Sequence, residues 1–134
     1  MDLFNELKGM KILLIDDDEW IRDSLNIFFE SEGCRITTFE TAEEALEELQ
    51  GQSYDIIIAD YRLPSMNGLE LFKRIEESHS HAIKIIITAY KDKEVIAEAN
   101  KRNIHDFIDK PFTTKTIEET LSRVIKNSQY KPRS

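Results

Sequence analysis

The sequence predicts an α/β domain in which a parallel sheet carries helices on both faces. Three observations predict it. Short apolar runs, Ile12-Leu13-Leu14-Ile15, Ile56-Ile57-Ile58-Ala59 and the nearly all-apolar Ile83 to Ile87, lack the polar alternation of a strand with one wet face. They read as strands buried on both sides. Helix-like stretches separate such runs, so strand and helix alternate along the chain, the pattern of βα units in a single sheet. The first and third runs end abruptly in acids, in Asp16-Asp17-Asp18-Glu19 and in Asp60. In open α/β sheets the carboxyl ends of the strands are where ligands bind.

Composition narrows the function classes. At 134 residues the chain has the size of one domain, and at 40% hydrophobic residues it supports an ordinary core. A net charge of −8 disfavours nucleic acid or an anionic membrane as direct partners and suits a cation-binding pocket. The single cysteine, Cys34, excludes an internal disulfide and reads as a small core residue. With no long apolar run and no signal peptide, the expected location is the cytoplasm.

Residues 1–10 form a short lead-in, with Gly9 before the first strand at about 11–16. A helix follows over about 19–31, with Ile21, Leu25, Phe28 and Phe29 on one face and Gly33 at its end. Trp20 and Ile27 fall off that face. Strand two spans about 35–39. Thr41 with Glu44 three residues on is a capping box, opening a helix from Ala42 to about Gln50 with Ala45, Leu46 and Leu49 inward. Strand three ends in Asp60, and Pro64 and Gly68 bend the loop that follows. Leu69, Leu71, Phe72 and Ile75 mark a third helix ending near Ser78. His79 and His81 form a His-x-His pair. Zinc sites use three or four ligands, so the pair reads as part of a solvated loop. Strand four, 83–88, ends in Thr88-Ala89. The helix over about 92–102 has only Val95, Ile96, Ala97 and Ala99 as apolar residues and reads as the least amphipathic. Strand five, about 105–109, starts at His105, for which no partner is evident, and leads into Lys110-Pro111-Phe112. Ile117, Leu121, Val124 and Ile125 form the face of the last helix, and the polar residues 127–134 read as a frayed tail.

If all strands run parallel, Asp16, Asp17, Asp60, Thr88 and Lys110 lie on one edge of the sheet. Like charges gathered there cost energy unless a cation sits among them. Oxygen-only ligands suit Mg²⁺, and with two acids neutralised a third carboxylate can attack phosphorus to form an aspartyl phosphate. A metal, a lysine and a hydroxyl would then bind the phosphoryl oxygens.

These residues resemble the motifs of a known family, the receiver domain of bacterial two-component response regulators. The resemblance covers about residues 10–127 and rests on four motifs in order: Leu14-Ile15-Asp16-Asp17, Asp60-Tyr61-Arg62-Leu63-Pro64-Ser65-Met66-Asn67-Gly68, Thr88-Ala89 and Lys110-Pro111-Phe112. It implies a flavodoxin-like (βα)5 fold, doubly wound, with strand order 2-1-3-4-5. It also implies a lead-in at 1–10, a receiver domain at 11–126 and a flexible tail at 127–134. Asp60 would be the phosphoacceptor. Asp17 and Asp60 would bind Mg²⁺ or Mn²⁺ directly, with Asp16 acting through water and Arg62 through its backbone carbonyl. Lys110 would pair with the phosphoryl group, Thr88 would close on it, and Phe107 would be the switch aromatic. The Lys110-Pro111 bond would be cis.

The implied function is a signalling switch, not an enzyme beyond its own phosphorylation and slow dephosphorylation. A sensor histidine kinase or a histidine phosphotransfer protein would donate the phosphoryl group. The face of the fourth helix, fifth strand and fifth helix would then change and regulate a separate output protein. The resemblance allows a monomer or a phosphorylation-dependent dimer. Some residues depart from the family pattern. Asn103-Ile104 stands where Gly-Ala is common, and Phe107 lacks a tyrosine hydroxyl. Large groups at Arg62 and Tyr90 flank the path of an attacking water and predict slow phosphate loss. Two alternatives remain at this level. One is an aspartate-nucleophile phosphatase using Asp16-x-Asp18; the other is a phosphorylation-independent interaction module.

Overall fold

The computed structural model describes residues 2–89 and 93–127. Its elements, in chain order, are α1 (Leu3–Leu7), β1 (Ile12–Ile15), α2 (Glu19–Ser31), β2 (Ile36–Phe39), α3 (Ala42–Gly51), β3 (Ile56–Asp60), α4 (Gly68–Arg74), β4 (Ile83–Thr88), α5 (Lys93–Lys101), β5 (Asp106–Asp109) and α6 (Thr114–Asn127). The expectations for Tyr90 and for residues 128–134 lie outside the described residues.

The strands form one parallel sheet in the order β2-β1-β3-β4-β5. This is the flavodoxin-like arrangement expected. The central strands read as unbroken apolar runs because each face is covered by helices. Ile12, Leu14, Ile56 and Ile58 pack into one layer with α2 and α6, through Leu25, Phe29, Ile117 and Leu121. Leu13, Ile15, Ile57 and Ala59 pack into the other with α3, α4 and α5, through Ala45, Leu49, Phe72 and Val95. Each fully buried Ile or Leu contributes about 2 kcal/mol of transfer free energy, so the alternation within β1 and β3 holds both layers to one sheet.

Register positions the site. Ile15 pairs with Ala59 and Asp60 with Ile87, so the residue after Ile15 emerges beside Asp60 at the carboxyl edge. Thr88 pairs with Asp109, which places Lys110 one residue further along the neighbouring strand.

Local signals account for most helix ends. Thr41 and Glu44 form the full capping box of α3. Gly33 follows α2 with φ +75°, and the Cys34 amide donates to the Phe29 carbonyl at 2.9 Å, closing the helix. Cys34 itself is buried, and burial pushes its thiol pKa above the ordinary value.

Several residues sit differently from their sequence expectation. The lead-in contains α1, whose Leu7 is fully buried and whose Phe4 ring meets Phe28 edge-on at 5.8 Å. The third predicted helix, α4, ends at Arg74 and continues as turns through His81, so it stops short of Ser78. His79 is not in a solvated loop: it is 6% exposed, and its Nε2 lies 2.9 Å from the Leu49 carbonyl. The Leu49 carbonyl near the end of α3 partners Nε2, while Nδ1 is buried with no hydrogen-bond partner among the described residues. His105 does have a partner, its Nδ1 accepting from the Lys84 amide at 3.0 Å. Helix α5 is amphipathic, with Val95 and Ala99 buried and Lys93, Glu94, Ala97 and Asn100 outward. Trp20 and Ile27, by contrast, lie off the core face of α2 as expected and are exposed, Trp20 by 78%.

Candidate functional site

The β1 register delivers three successive acids to the carboxyl edge, and each takes a different task. Asp16 continues the strand inward and is fully buried; its Oδ1 accepts from the Asp18 amide at 2.9 Å. Asp18 caps α2, its Oδ1 accepting from the amides of Trp20 and Ile21 at 2.9 and 3.4 Å. Asp17, between them, is exposed. One oxygen from each of Asp16, Asp17 and Asp60 falls within 4.8 Å of the others.

Asp60 ends β3 and is buried, with Oδ1 accepting from the Arg62 amide at 3.1 Å. The loop behind it turns through Ser65, at φ 67°, and returns to Gly68, whose amide donates to the Tyr61 carbonyl at 3.0 Å. A Cβ at Gly68 would stand 2.5 Å from the Asp60 main-chain oxygen, so only glycine lets α4 start this close to the acid. Arg62 is exposed, and its carbonyl belongs to the same loop.

Lys110 reaches in from the end of β5. Its Nζ donates to Asp60 Oδ2 at 2.5 Å and stands 3.3 Å from Asp16 Oδ2. The Lys110-Pro111 peptide is cis, and the Lys110 amide donates to the Thr88 carbonyl at 3.0 Å. Thr88 is buried at the end of β4, and Phe107, two strand positions before Asp109, is half-buried against the α3–α5 layer.

The electrostatics follow from this packing. Burial raises the Asp16 pKa from 3.8 to about 6; the Asp18 amide opposes the shift, the Asp60 charge adds to it, and Lys110 opposes it. Burial works against the charge on Lys110, but the hydrogen bond to Asp60 and the charges of Asp16 and Asp60 together raise its pKa. The lysine supplies one positive charge to two buried carboxylates. Asp16 Oδ2 is buried with no hydrogen-bond partner among the described residues, and the Lys110 ammonium stands 3.3 Å from it as an ion pair. An orphaned buried carboxylate oxygen, grouped with two further acids in an oxygen-only set, fits a divalent cation such as Mg²⁺. No such group among the described residues includes His79 or His81.

The sequence-predicted residues Asp16, Asp17, Asp60, Thr88 and Lys110 are thus brought to one edge. Sequence reasoning missed Arg22, whose Nη1 donates to the Asp16 carbonyl at 2.8 Å. Its position one turn into a helix that begins beside an acid cluster was the available signal.

Comparisons with known proteins agree with this geometry. Residues 12–122 match the response regulator receiver domain family. The chain is 34% identical over 118 residues to the transcriptional regulatory protein FixJ of Bradyrhizobium diazoefficiens, spanning 88% of this chain and 58% of that protein. It is 33% identical to the DNA-binding transcriptional regulator NtrC of Escherichia coli, spanning 88% of this chain and 25% of that one. The chain therefore spans only part of the length of these curated relatives. Among solved structures, the chemotaxis response regulator CheY4 of Vibrio cholerae superposes with a TM-score of 0.80 at 27% identity, over 86% of this chain and 98% of that one. The beryllofluoride-activated NtrC4 receiver domain dimer superposes with a TM-score of 0.79 at 26% identity, over 87% and 97%. The chain belongs to the response regulator receiver domains of two-component signalling.

Proposed function

We propose that this receiver domain is a divalent-cation-dependent phosphoacceptor switch with Asp60 as the acceptor. The observation that carries the reading is the convergence of Asp16, Asp17 and Asp60, with the Lys110 ammonium against Asp16 and Asp60 and an Asp16 oxygen left without a hydrogen bond among the described residues. Asp17, Asp60, the Arg62 carbonyl and, through water, Asp16 would hold Mg²⁺. The ion would neutralise the acids and the developing charge on a transferred phosphoryl group.

This chain's own residues do the rest. An Asp60 carboxylate oxygen attacks phosphorus of a phosphohistidine on a kinase or phosphotransfer protein. The P–O bond forms as the P–N bond breaks, and the departing imidazole leaves on the partner. The Arg62 amide holds the non-attacking Asp60 oxygen. Lys110, already beside both buried acids, turns to a phosphoryl oxygen, and the Thr88 hydroxyl supplies a second donor. Withdrawal of Thr88 toward the phosphoryl group and inward rotation of the half-buried Phe107 would shift the face of α5, β5 and α6. That face would regulate an output protein or domain. In this reading the domain turns over no external substrate and works in the cytoplasm.

Trp20 supports a docking surface for the phosphoryl donor. It stands beside Ile21, Ser24, Pro111 and Phe112 along a groove of about 510 Å³ that also reaches Lys110.

The test is incubation with acetyl phosphate with and without Mg²⁺, followed by intact mass. One phosphoryl addition is expected, requiring both Mg²⁺ and Asp60 and absent in Asp60→Asn. Addition that persists in Asp60→Asn would overturn the assignment, and turnover of a small phosphate ester beyond one equivalent would favour a phosphatase.

A further inference from the structure

We propose that Arg22 is a positioning residue for the divalent cation, fixing the peptide between Asp16 and Asp17 so that the Asp17 carboxylate points into the site. The proposal rests on the cation-dependent reading of the acid cluster and adds to it a residue that touches no ligand.

Asp17 needs an external restraint. Its carboxylate is exposed and makes no hydrogen bond or ion pair among the described residues. Its neighbours are held firmly: Asp16 by burial and by the Asp18 amide, Asp18 by the two amides it caps. The direction of the Asp17 side chain therefore depends on the plane of the peptide before it. That peptide's oxygen, the Asp16 carbonyl, accepts from Arg22 Nη1 at 2.8 Å. The Arg22 side chain is largely buried, and its Nη2 lies 3.6 Å from Glu40 Oε2 in the β2–α3 loop. The Asp16 amide donates to the Phe39 carbonyl at 3.1 Å, so both ends of Asp16 are tied to the same neighbouring strand end. One guanidinium thus spans a peptide of the β1–α2 loop and a carboxylate on the next loop. A lysine cannot reproduce this, because it lacks the planar fork.

The sign of the effect separates positioning from charge. Arg22 places a positive charge near a cation site, so by Coulomb's law alone its removal would tighten Mg²⁺ binding. Positioning predicts the opposite. Residues that orient metal ligands cost about 10–100-fold in affinity when lost; for one exposed carboxylate of three, about tenfold is expected.

The experiment titrates the full chain with Mg²⁺ alone, by calorimetry and by Trp20 fluorescence, well below each variant's unfolding midpoint in EDTA. Wild type is compared with Arg22→Ala, Arg22→Lys and Asp17→Asn. The expected result is an Mg²⁺ Kd raised about tenfold in Arg22→Ala and less in Arg22→Lys. Unfolding midpoints in EDTA should move by an amount unrelated to that change. An unchanged or lowered Kd in both Arg22 variants would overturn the proposal, leaving Arg22 as a stabilising contact. Should Arg22→Ala not fold, Arg22→Lys decides, since it keeps the charge and most of the packing. If Asp17→Asn leaves Mg²⁺ binding unchanged, the cluster reading itself fails; if it weakens binding and the Arg22 variants do not, only the role of Arg22 fails.

Discussion

Two lysines are drawn into this sheet, one at each end, and they are held in opposite ways. Lys110, at the carboxyl edge, sits against the carboxylates of Asp60 and Asp16, which raise its pKa above the ordinary value against the effect of burial. Lys84, in the second position of β4 and 4% exposed, has no carboxylate within bonding distance among the described residues. Its ammonium donates to the carbonyls of His79 and Ala82 at 2.8 and 3.4 Å, and burial lowers its pKa. Neutral carbonyl dipoles hold one ammonium in a closed arrangement. Charged carboxylates hold the other in an arrangement that, in the proposed function, a phosphoryl group or a metal ion would reorganise. A buried charge alone therefore does not mark the working end of the sheet; the kind of partner does.

The comparison can be broken in order of expected effect. Lys110→Ala should slow phosphorylation by acetyl phosphate at saturating Mg²⁺ by about 100-fold, the usual cost of removing one donor to a developing charge; an unchanged initial rate would make Lys110 structural, like Lys84. Lys84→Met should leave that rate unchanged and lower the unfolding free energy by about 1–2 kcal/mol, because the Ala82 carbonyl loses its donor while the ammonium's desolvation cost is relieved. Denaturant unfolding and phosphorylation rates measured on the same preparation test both halves of that statement.

The third change sharpens the comparison through pH. The Asp16 pKa is raised on folding, from 3.8 to about 6. The folded state therefore holds its proton more tightly, and stability from this group is full below pH 3.8 and lost as pH rises through about 6. In EDTA, Asp16→Asn should stabilise the protein above that window by about 1 kcal/mol, less than the shift alone corresponds to because the attraction to Lys110 is also lost. The gain should vanish below the window and be reversed by Mg²⁺ in the wild type. Equal unfolding midpoints for the two proteins at pH 8 would count against a strained carboxylate.

Much of this was legible in the sequence because the physics leaves a periodic trace. A strand covered on both faces must be a run such as Ile56 to Ala59, and an acid that ends it breaks the run visibly. The capping box at Thr41 and Glu44 is likewise a local signal. What the sequence concealed depends on partners far along the chain. His79 is buried by a carbonyl 30 residues away, and Lys84 hides within an apolar run because its acceptors are main-chain oxygens that no residue type announces. Helix α1 spans only 5 residues, too short for a helical period, and is held by Leu7 and by the Phe4–Phe28 contact. At the carboxyl edge, the acids, the threonine and the lysine were readable as types at strand ends. The capping of α2 by Asp18 was not, since it is set by which way that side chain leaves the loop.

The burial of Cys34 has a practical consequence. The chain holds one thiol, packed against the core with its pKa raised, so it should react slowly with maleimides in the folded state. A second cysteine placed at the outward Ala97 on α5 would then be the preferred attachment point for a fluorophore without first removing the native one. Emission from that dye, recorded as acetyl phosphate is added, would turn the domain into its own optical reporter of helix movement.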